Sequence, residues 1–161
     1  MSLFPLESGD TVGNEERMYL MSIRPKYAYK IFAGIKKYEL RRWIGIRMDP
    51  GSLIVVYASG NVRALIGEFR AGKIVYGSPT KVWSYVRSVP SSGVNIEDHS
   101  YIVGSKTALA IEVLSPKLYK YPVKLDELRR IIPGFNPPLS FRELSETEPL
   151  YRLIIRKLRR L

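Results

Sequence analysis

Two glycines interrupt the longest β-like run of the chain, RALIGEFRAGKIVYG, and they constrain the fold more than any other feature. A run of that length holding Gly67 and Gly72 is a bulged long strand or a bent pair, and bulges are what a sheet needs in order to curl. The neighbouring segments agree. MYLMSI, from Met18, is a short apolar strand, and SLIVVYA is a nearly continuous apolar run that reads as a central one. KKYELRRW alternates, with Tyr38 and Leu40 on one side and Lys37, Glu39 and Arg41 on the other. TALAIEVL and KLYKYPVKL read as two further strands.

Short helices are interleaved with these strands. In RPKYAYKIFAG, Pro25 suits a first turn, Ala28, Ile31 and Phe32 share a face, and Gly34 is a natural stop. Ser78-Pro79 opens a second helix with Val82, Trp83 and Val86 as its stripe. LDELRRII forms a third, ended by Pro133-Gly134. Residues 88 to 105 read as loop. PPLSFREL carries a capping-box pattern at Ser140 and Glu143. The last helix is basic and places Leu150, Leu153, Ile154, Leu158 and Leu161 on one side. Strands and helices do not alternate regularly, which argues against a doubly wound parallel sheet. The expectation is an α+β chain: a curled, barrel-like, mostly antiparallel sheet with short peripheral helices. Residues 1–17 are polar and aperiodic and read as a leader, leaving 18–161 as one domain that includes the basic C-terminal helix.

Charge limits the partners. There are 26 Lys and Arg against 15 Asp and Glu in 161 residues, a formal net charge of +11. A surplus of that size produces a positive field that attracts phosphate backbones or anionic membrane surfaces. Cysteine is absent, which excludes disulfides, iron–sulfur clusters and thiolate zinc sites. The single histidine, His99, follows Glu97 and Asp98 in a polar stretch and reads as a surface residue. No metal and no cofactor are expected. The N-terminus has neither a basic start nor a long apolar run, and no stretch approaches a membrane span, so a cytoplasmic protein is expected. Glutamine is absent while Arg, Lys, Tyr and Ile are plentiful, a composition compatible with a thermophilic source.

The sharpest local feature is GIKKYELRR, a helix stop followed at once by a charged strand. With Tyr38 and Leu40 on the core, Glu39 and Arg41 project together from the other face, and Lys36 leans over the same spot. A carboxylate between two cations stays ionised and aims their donors outward at an anion. The plainer alternative is an exposed strand with ordinary surface ion pairs.

GIKKYELR matches G-x-K-x-x-E-x-R, and in this it resembles the signature of the ASCH family, a branch of the PUA-like superfamily. The resemblance continues in SIRPKYAYKIFAG, in the strand ending Tyr57-Ala58-Ser59 and in ALIGEF, with weaker echoes at Tyr101 to Gly104 and in PPLSFREL. It implies a curled sheet with a cleft lined by Lys36, Glu39 and Arg41, and a role as an RNA-binding or nucleotide-binding module. Some small bacterial members resemble amidohydrolases that deacylate acetylated cytidine with a Lys and a Thr. Here Glu39 occupies the Thr position, so that chemistry does not transfer.

Around the signature, Lys26, Lys30, Arg41, Arg42, Arg47 and Arg63 are interleaved with Tyr27, Tyr29, Tyr38 and Trp43. Cations for phosphate beside rings for stacking suit single-stranded nucleic acid. The candidate ligand-binding set is therefore Lys36, Glu39, Arg41, Arg42, Lys26, Ser59 and Arg63, with RNA or a nucleotide-like ligand as partner. The alternative is an enzyme at the same cleft, a ribonuclease or an amidohydrolase, in which Lys36 and Glu39 carry the chemistry.

Overall fold

The computed structural model describes residues 16 to 161. Residues 1–15 of the expected leader lie outside the described residues. Glu16 and Arg17 already engage the sheet: the Arg17 carbonyl accepts from Leu53 N at 2.9 Å, and Glu16 pairs with Arg70 and, at 3.6 Å, with Arg159.

One six-stranded sheet carries the fold. Its strands are β1 (Met18–Ile23), β2 (Tyr38–Arg42), β3 (Leu53–Ala58), β4 (Ala64–Gly77), β5 (Ala108–Lys124) and β6 (Phe141–Leu144). They lie in the order β2-β5-β4-β3-β1-β6. β1 and β3 run parallel and every other pair is antiparallel. The helices are α1 (Pro25–Phe32), α2 (Pro79–Ser88), α3 (Ile96–Ile102) and α4 (Leu125–Ile131), and the chain ends in a helix over residues 149 to 160.

The curl comes from the two long strands. β4 is one strand of 14 residues, and its register against β5 slips between Leu65/Gly67, Glu68/Arg70 and Ala71/Ile74. At Gly67 a Cβ would lie 2.5 Å from the Lys117 carbonyl oxygen and 2.8 Å from the Phe32 ring, so only glycine lets β4, β5 and α1 close together there. β5 is a single strand of 17 residues where two were expected. Glu68 pairs with Lys117 and Arg70 with Leu114, so Ser115 and Pro116 are passed over as a bulge. Ser115 takes φ +52°, and the bulge absorbs the proline that suggested a break.

β1 and β3 are buried on both faces, which is why they read as continuous apolar runs. Tyr19, Met21, Ile54 and Val56 face inward over Ala28 and Ile31 of α1. Leu20, Leu53 and Val55 face the other way, against Leu128 of α4 and Leu150, Ile154 and Leu158 of the last helix. A third core joins Tyr38 and Leu40 to Val82, Val86 and Ile102 beneath α2 and α3.

Three local expectations change. Residues 88 to 105 contain α3, capped by Asn95. Ser140 opens strand β6, not a helix, because the free edge of β1 takes it: Ser22 N donates to Ser140 O at 2.9 Å, and Phe141 packs edge-on against Tyr19. The reciprocal cap forms one Ser-x-x-Glu later, with Ser145 Oγ accepting from Thr147 N at 3.1 Å and Ser145 N donating to Glu148 at 2.8 Å. In the last helix Tyr151–Ile155 is a π-helical turn, followed by α5 (Arg156–Arg160). That wider turn shifts the phase, so Ile155 is buried while Leu153 and Leu161 are exposed. Among the described residues no helix is long and apolar enough to cross a membrane.

Candidate functional site

A cavity of about 670 Å³ opens where β1 and β3 end beside the start of β2. Its floor is the signature segment. After Gly34 stops α1 at φ +77°, the amides of Ile35 and Lys36 both donate to the Lys30 carbonyl, at 2.9 and 3.0 Å. This hooked exit turns the Lys36 side chain inward. Lys37 N then donates to Ser92 O at 2.8 Å, which brings the 91–94 loop down onto the hook. At Gly93, φ +77°, a Cβ would lie 2.0 Å from the Ile35 oxygen, so the loop can approach only with glycine there.

The expected outward-facing cations are instead buried: Lys36 is 3% exposed, Glu39 3% and Arg41 5%. The curl of the sheet turns inward the face of β2 that the alternation left to solvent, where Ser22 at the end of β1, Ser140 before β6 and Asp98 of α3 meet the three side chains. The two Glu39 oxygens are divided, Oε1 accepting from Lys36 Nζ at 2.7 Å and Oε2 from Arg41 Nη1 at 2.9 Å. Lys36 has a second carboxylate, Asp98 Oδ1, at 2.8 Å, and its ammonium lies 4.8 Å from the centre of the Tyr27 ring. Arg41 also donates to Ser22 O at 3.2 Å and to Ser140 Oγ at 3.0 Å. Its Nε is buried and finds no acceptor among the described residues.

Asp98 also belongs to this cluster, and the sequence alone did not single it out. It sits on α3 with Oδ2 accepting from Asn95 N at 2.9 Å, so one carboxylate closes a helix cap and holds Lys36. The pair Asn95-x-x-Asp98 was the available signal. His99, the next residue, is half-buried and stacks on Trp83 at 4.7 Å between ring centres.

Burial alone would lower the Lys36 pKa, but the Glu39 and Asp98 carboxylates outweigh it and hold the ammonium above its ordinary value. Burial would raise the Glu39 pKa, and Lys36 and Arg41 outweigh that too, holding the carboxyl below its usual range. Both Glu39 oxygens are engaged by cations, which holds the carboxylate ionised. Among the described residues no three of His, Cys, Asp or Glu gather in a group that could hold a metal ion.

Of the remaining candidates, Ser59 lines the cavity, and three do not. Lys26 is exposed and pairs with Glu97 at 2.7 Å, linking α1 to α3. Arg42 is exposed and donates to the carbonyls of Tyr101, at 2.7 Å, and Val103, at 3.0 Å, bracing the end of α3. Arg63 is exposed at φ +52° beside Tyr57. Cations interleaved with rings mark where charge falls along the chain, not which side chains reach the floor.

A protein of Zymomonas mobilis named ASCH domain-containing ribonuclease is 31% identical over 130 residues, 80% of this chain and 85% of the relative. The chain belongs to the ASCH domain family. No family model matches the sequence. The crystal structure of ASCH from Z. mobilis superposes with a TM-score of 0.72 at 26% identity, over 88% of this chain and 96% of that one. A variant of that protein gives 0.71 at 27% identity, over 86% and 94%. A Rhodopseudomonas palustris protein solved by NMR shares the fold at 17% identity, with a TM-score of 0.54 over 90% of this chain and 94% of that one. The sheet and the helices around it are thus those of an ASCH domain.

Proposed function

We propose that this ASCH protein acts on RNA, taking one unpaired nucleotide of a strand into the cavity above Lys36, Glu39 and Arg41. The observation that carries this reading is the cavity itself. It has about 670 Å³ of space over a buried ion-paired floor, with the rings of Tyr27, Tyr57 and Tyr101 in its walls. That volume falls in the range of sites that enclose a small molecule, and rings are the usual platform for an unstacked base. The net charge of +11 supports a polyanionic partner that delivers the nucleotide.

The name of the Z. mobilis relative favours a second reading, in which the strand is also cleaved. In that case Glu39 and Lys36 hold the strand and do not exchange protons, since each is locked in its charged form by the other. Deacylation of a modified nucleoside has less support, because the Thr that it would use is Glu39 here.

The test is fluorescence polarisation with a labelled single-stranded oligoribonucleotide and its duplex, followed by gel analysis of the same samples. Tight binding of the single strand over the duplex is expected. Tyr101→Ala, at a residue 42% exposed, should weaken binding roughly tenfold, the usual worth of a lost stacking contact. Shortened products in the presence of a chelator would establish the second reading. Equal affinity for duplex and single strand, unchanged in Tyr101→Ala, would remove the first.

A further inference from the structure

We infer that the group seated deep in the cavity is the uncharged base of the nucleotide, offering a carbonyl oxygen to Arg41, while its phosphates stay at the rim. This rests on the RNA reading and adds which part of the ligand goes where.

The first support is charge balance. The lining contains three cations, Arg24, Lys36 and Arg41, and three carboxylates, Glu39, Glu97 and Asp98. The four deep ones are two of each sign, the Lys36 ammonium meeting two carboxylates and each Glu39 oxygen meeting one cation. A phosphate entering there would compete with Glu39 and Asp98 for the same donors and face both carboxylates at close range. A dry site repels that second negative charge more strongly than water does. The +11 of the chain therefore lies wholly outside the cavity lining, since the lining sums to zero.

The second support is independent of the first. Arg41 is 5% exposed, and its two Nη groups are engaged by Glu39, Ser22 and Ser140, but its Nε has no acceptor among the described residues. That donor is covered, so a small shift of the guanidinium must open it; a donor left over in an otherwise satisfied network gives an incoming acceptor a partner that costs no existing bond. A neutral carbonyl takes that donor without breaking any ion pair. The third support is the shape of the walls. The Tyr101 ring lies 5.7 Å from the Arg41 guanidinium, and Pro137, Pro138 and the fully exposed Leu139 also line the cavity. Ring and aliphatic surfaces in the lining suit a flat group with apolar faces and a polar edge. Every common base except unmodified adenine carries a carbonyl on that edge, so adenine should be the poorest fit.

The experiment uses the full chain and four nucleosides, adenosine, cytidine, guanosine and uridine, with their 5′-monophosphates and inorganic phosphate as separate probes. Each is titrated by NMR and used to compete against the labelled oligoribonucleotide. At least one carbonyl-bearing nucleoside should bind within about threefold of its monophosphate, with little dependence on salt, as expected for a contact without phosphate neutralisation. Adenosine should be weakest, and inorganic phosphate should not compete. Arg41→Lys keeps a cation for Glu39 but removes the Nε donor, and should lower nucleoside affinity roughly tenfold, the scale of one lost buried hydrogen bond.

Competition by inorganic phosphate, or a monophosphate bound far more tightly than its nucleoside and released by salt, would overturn the inference. So would RNA binding that no nucleoside displaces. These wild-type measurements decide the matter even if Arg41→Lys fails to fold. Failure of the parent reading looks different: nucleosides would bind while the oligoribonucleotide would not.

Discussion

Four side chains hold most of the buried charge beside the cavity, and each depends on another of the four. Removing one therefore does more than delete a contact. Lys36→Ala leaves Glu39 and Asp98 buried without their shared cation, and stranding a buried charge in this way costs about 3–5 kcal/mol. Urea denaturation should show a loss of that size. A loss below about 1 kcal/mol, the worth of a surface pair, would mean that the cluster is far better solvated than its burial indicates.

The pH dependence follows from the same ties. The Glu39 carboxyl is held below its usual range, so its contribution is complete above the unfolded pKa of about 4.3 and is lost as pH falls through the folded value. The Lys36 ammonium is held above its ordinary value, so its contribution is complete below the unfolded pKa of about 10.4 and is lost as pH rises through the folded value. Stability from the cluster should be level between about pH 5 and pH 10 and decline on both sides. In Glu39→Gln the acid decline should shrink, as followed by urea midpoints from acid to alkaline buffers. An acid limb unchanged by that substitution would assign the decline to other carboxylates.

Among the elements, α3 is the one on which the site depends most, and it has only seven residues. Its N-terminus is closed by Asn95, whose side chain accepts from Glu97 N at 2.9 Å, and by Asp98 reaching back to Asn95 N. Asn95→Ala should cost about 1 kcal/mol in thermal unfolding, and amide exchange should accelerate in α3 before the sheet. Exchange that stays uniform across the molecule would show that α3 is held by its packing alone. This element was illegible in the sequence for a plain reason: it buries only Asp98 and Ile102, and Ile96 and Tyr101 face solvent, so it displays no apolar stripe. Lys36, Glu39 and Arg41 were legible because one local segment carries all three. Asp98 and Ser140 come from segments that only the closed fold brings there. The same limit applies to Ser140 and Glu143, where a local capping pattern lost to the open edge of β1. It applies again at Leu153, turned outward by the π-helical turn. Gly67, by contrast, was legible as a bulge. Gly67→Ala, forced against the Lys117 carbonyl, should destabilise by about 1–3 kcal/mol in the same unfolding assay.

At the scale of the whole molecule, charge is divided between a neutral cavity and a basic exterior. Residues 149 to 161 carry five cations, Arg152, Arg156, Lys157, Arg159 and Arg160, and no acid. Arg159 is used internally, donating to Glu68 at 2.9 Å beside the Tyr119 hydroxyl, and this pins the helix to β4 and β5. Arg156, Lys157 and Arg160 are exposed, while the apolar face of the helix is committed to the core. That leaves exposed cations able to meet phosphates. Attraction and selection should then separate in one measurement. If about four phosphates are neutralised, affinity for a single-stranded oligoribonucleotide should fall with salt at a log–log slope near −3. Replacing Arg156, Lys157 and Arg160 together by Ala should flatten that slope by about 2 if all three meet phosphate, at roughly 0.7 per contact. The loss should be large at low salt and should vanish at high salt. Tyr101→Ala should instead lower affinity by the same factor at every salt concentration, because a base contact releases no counterion. Parallel losses from both changes, with one common slope, would mean that the cavity and the exterior are not distinct, and that RNA is held by general basicity alone.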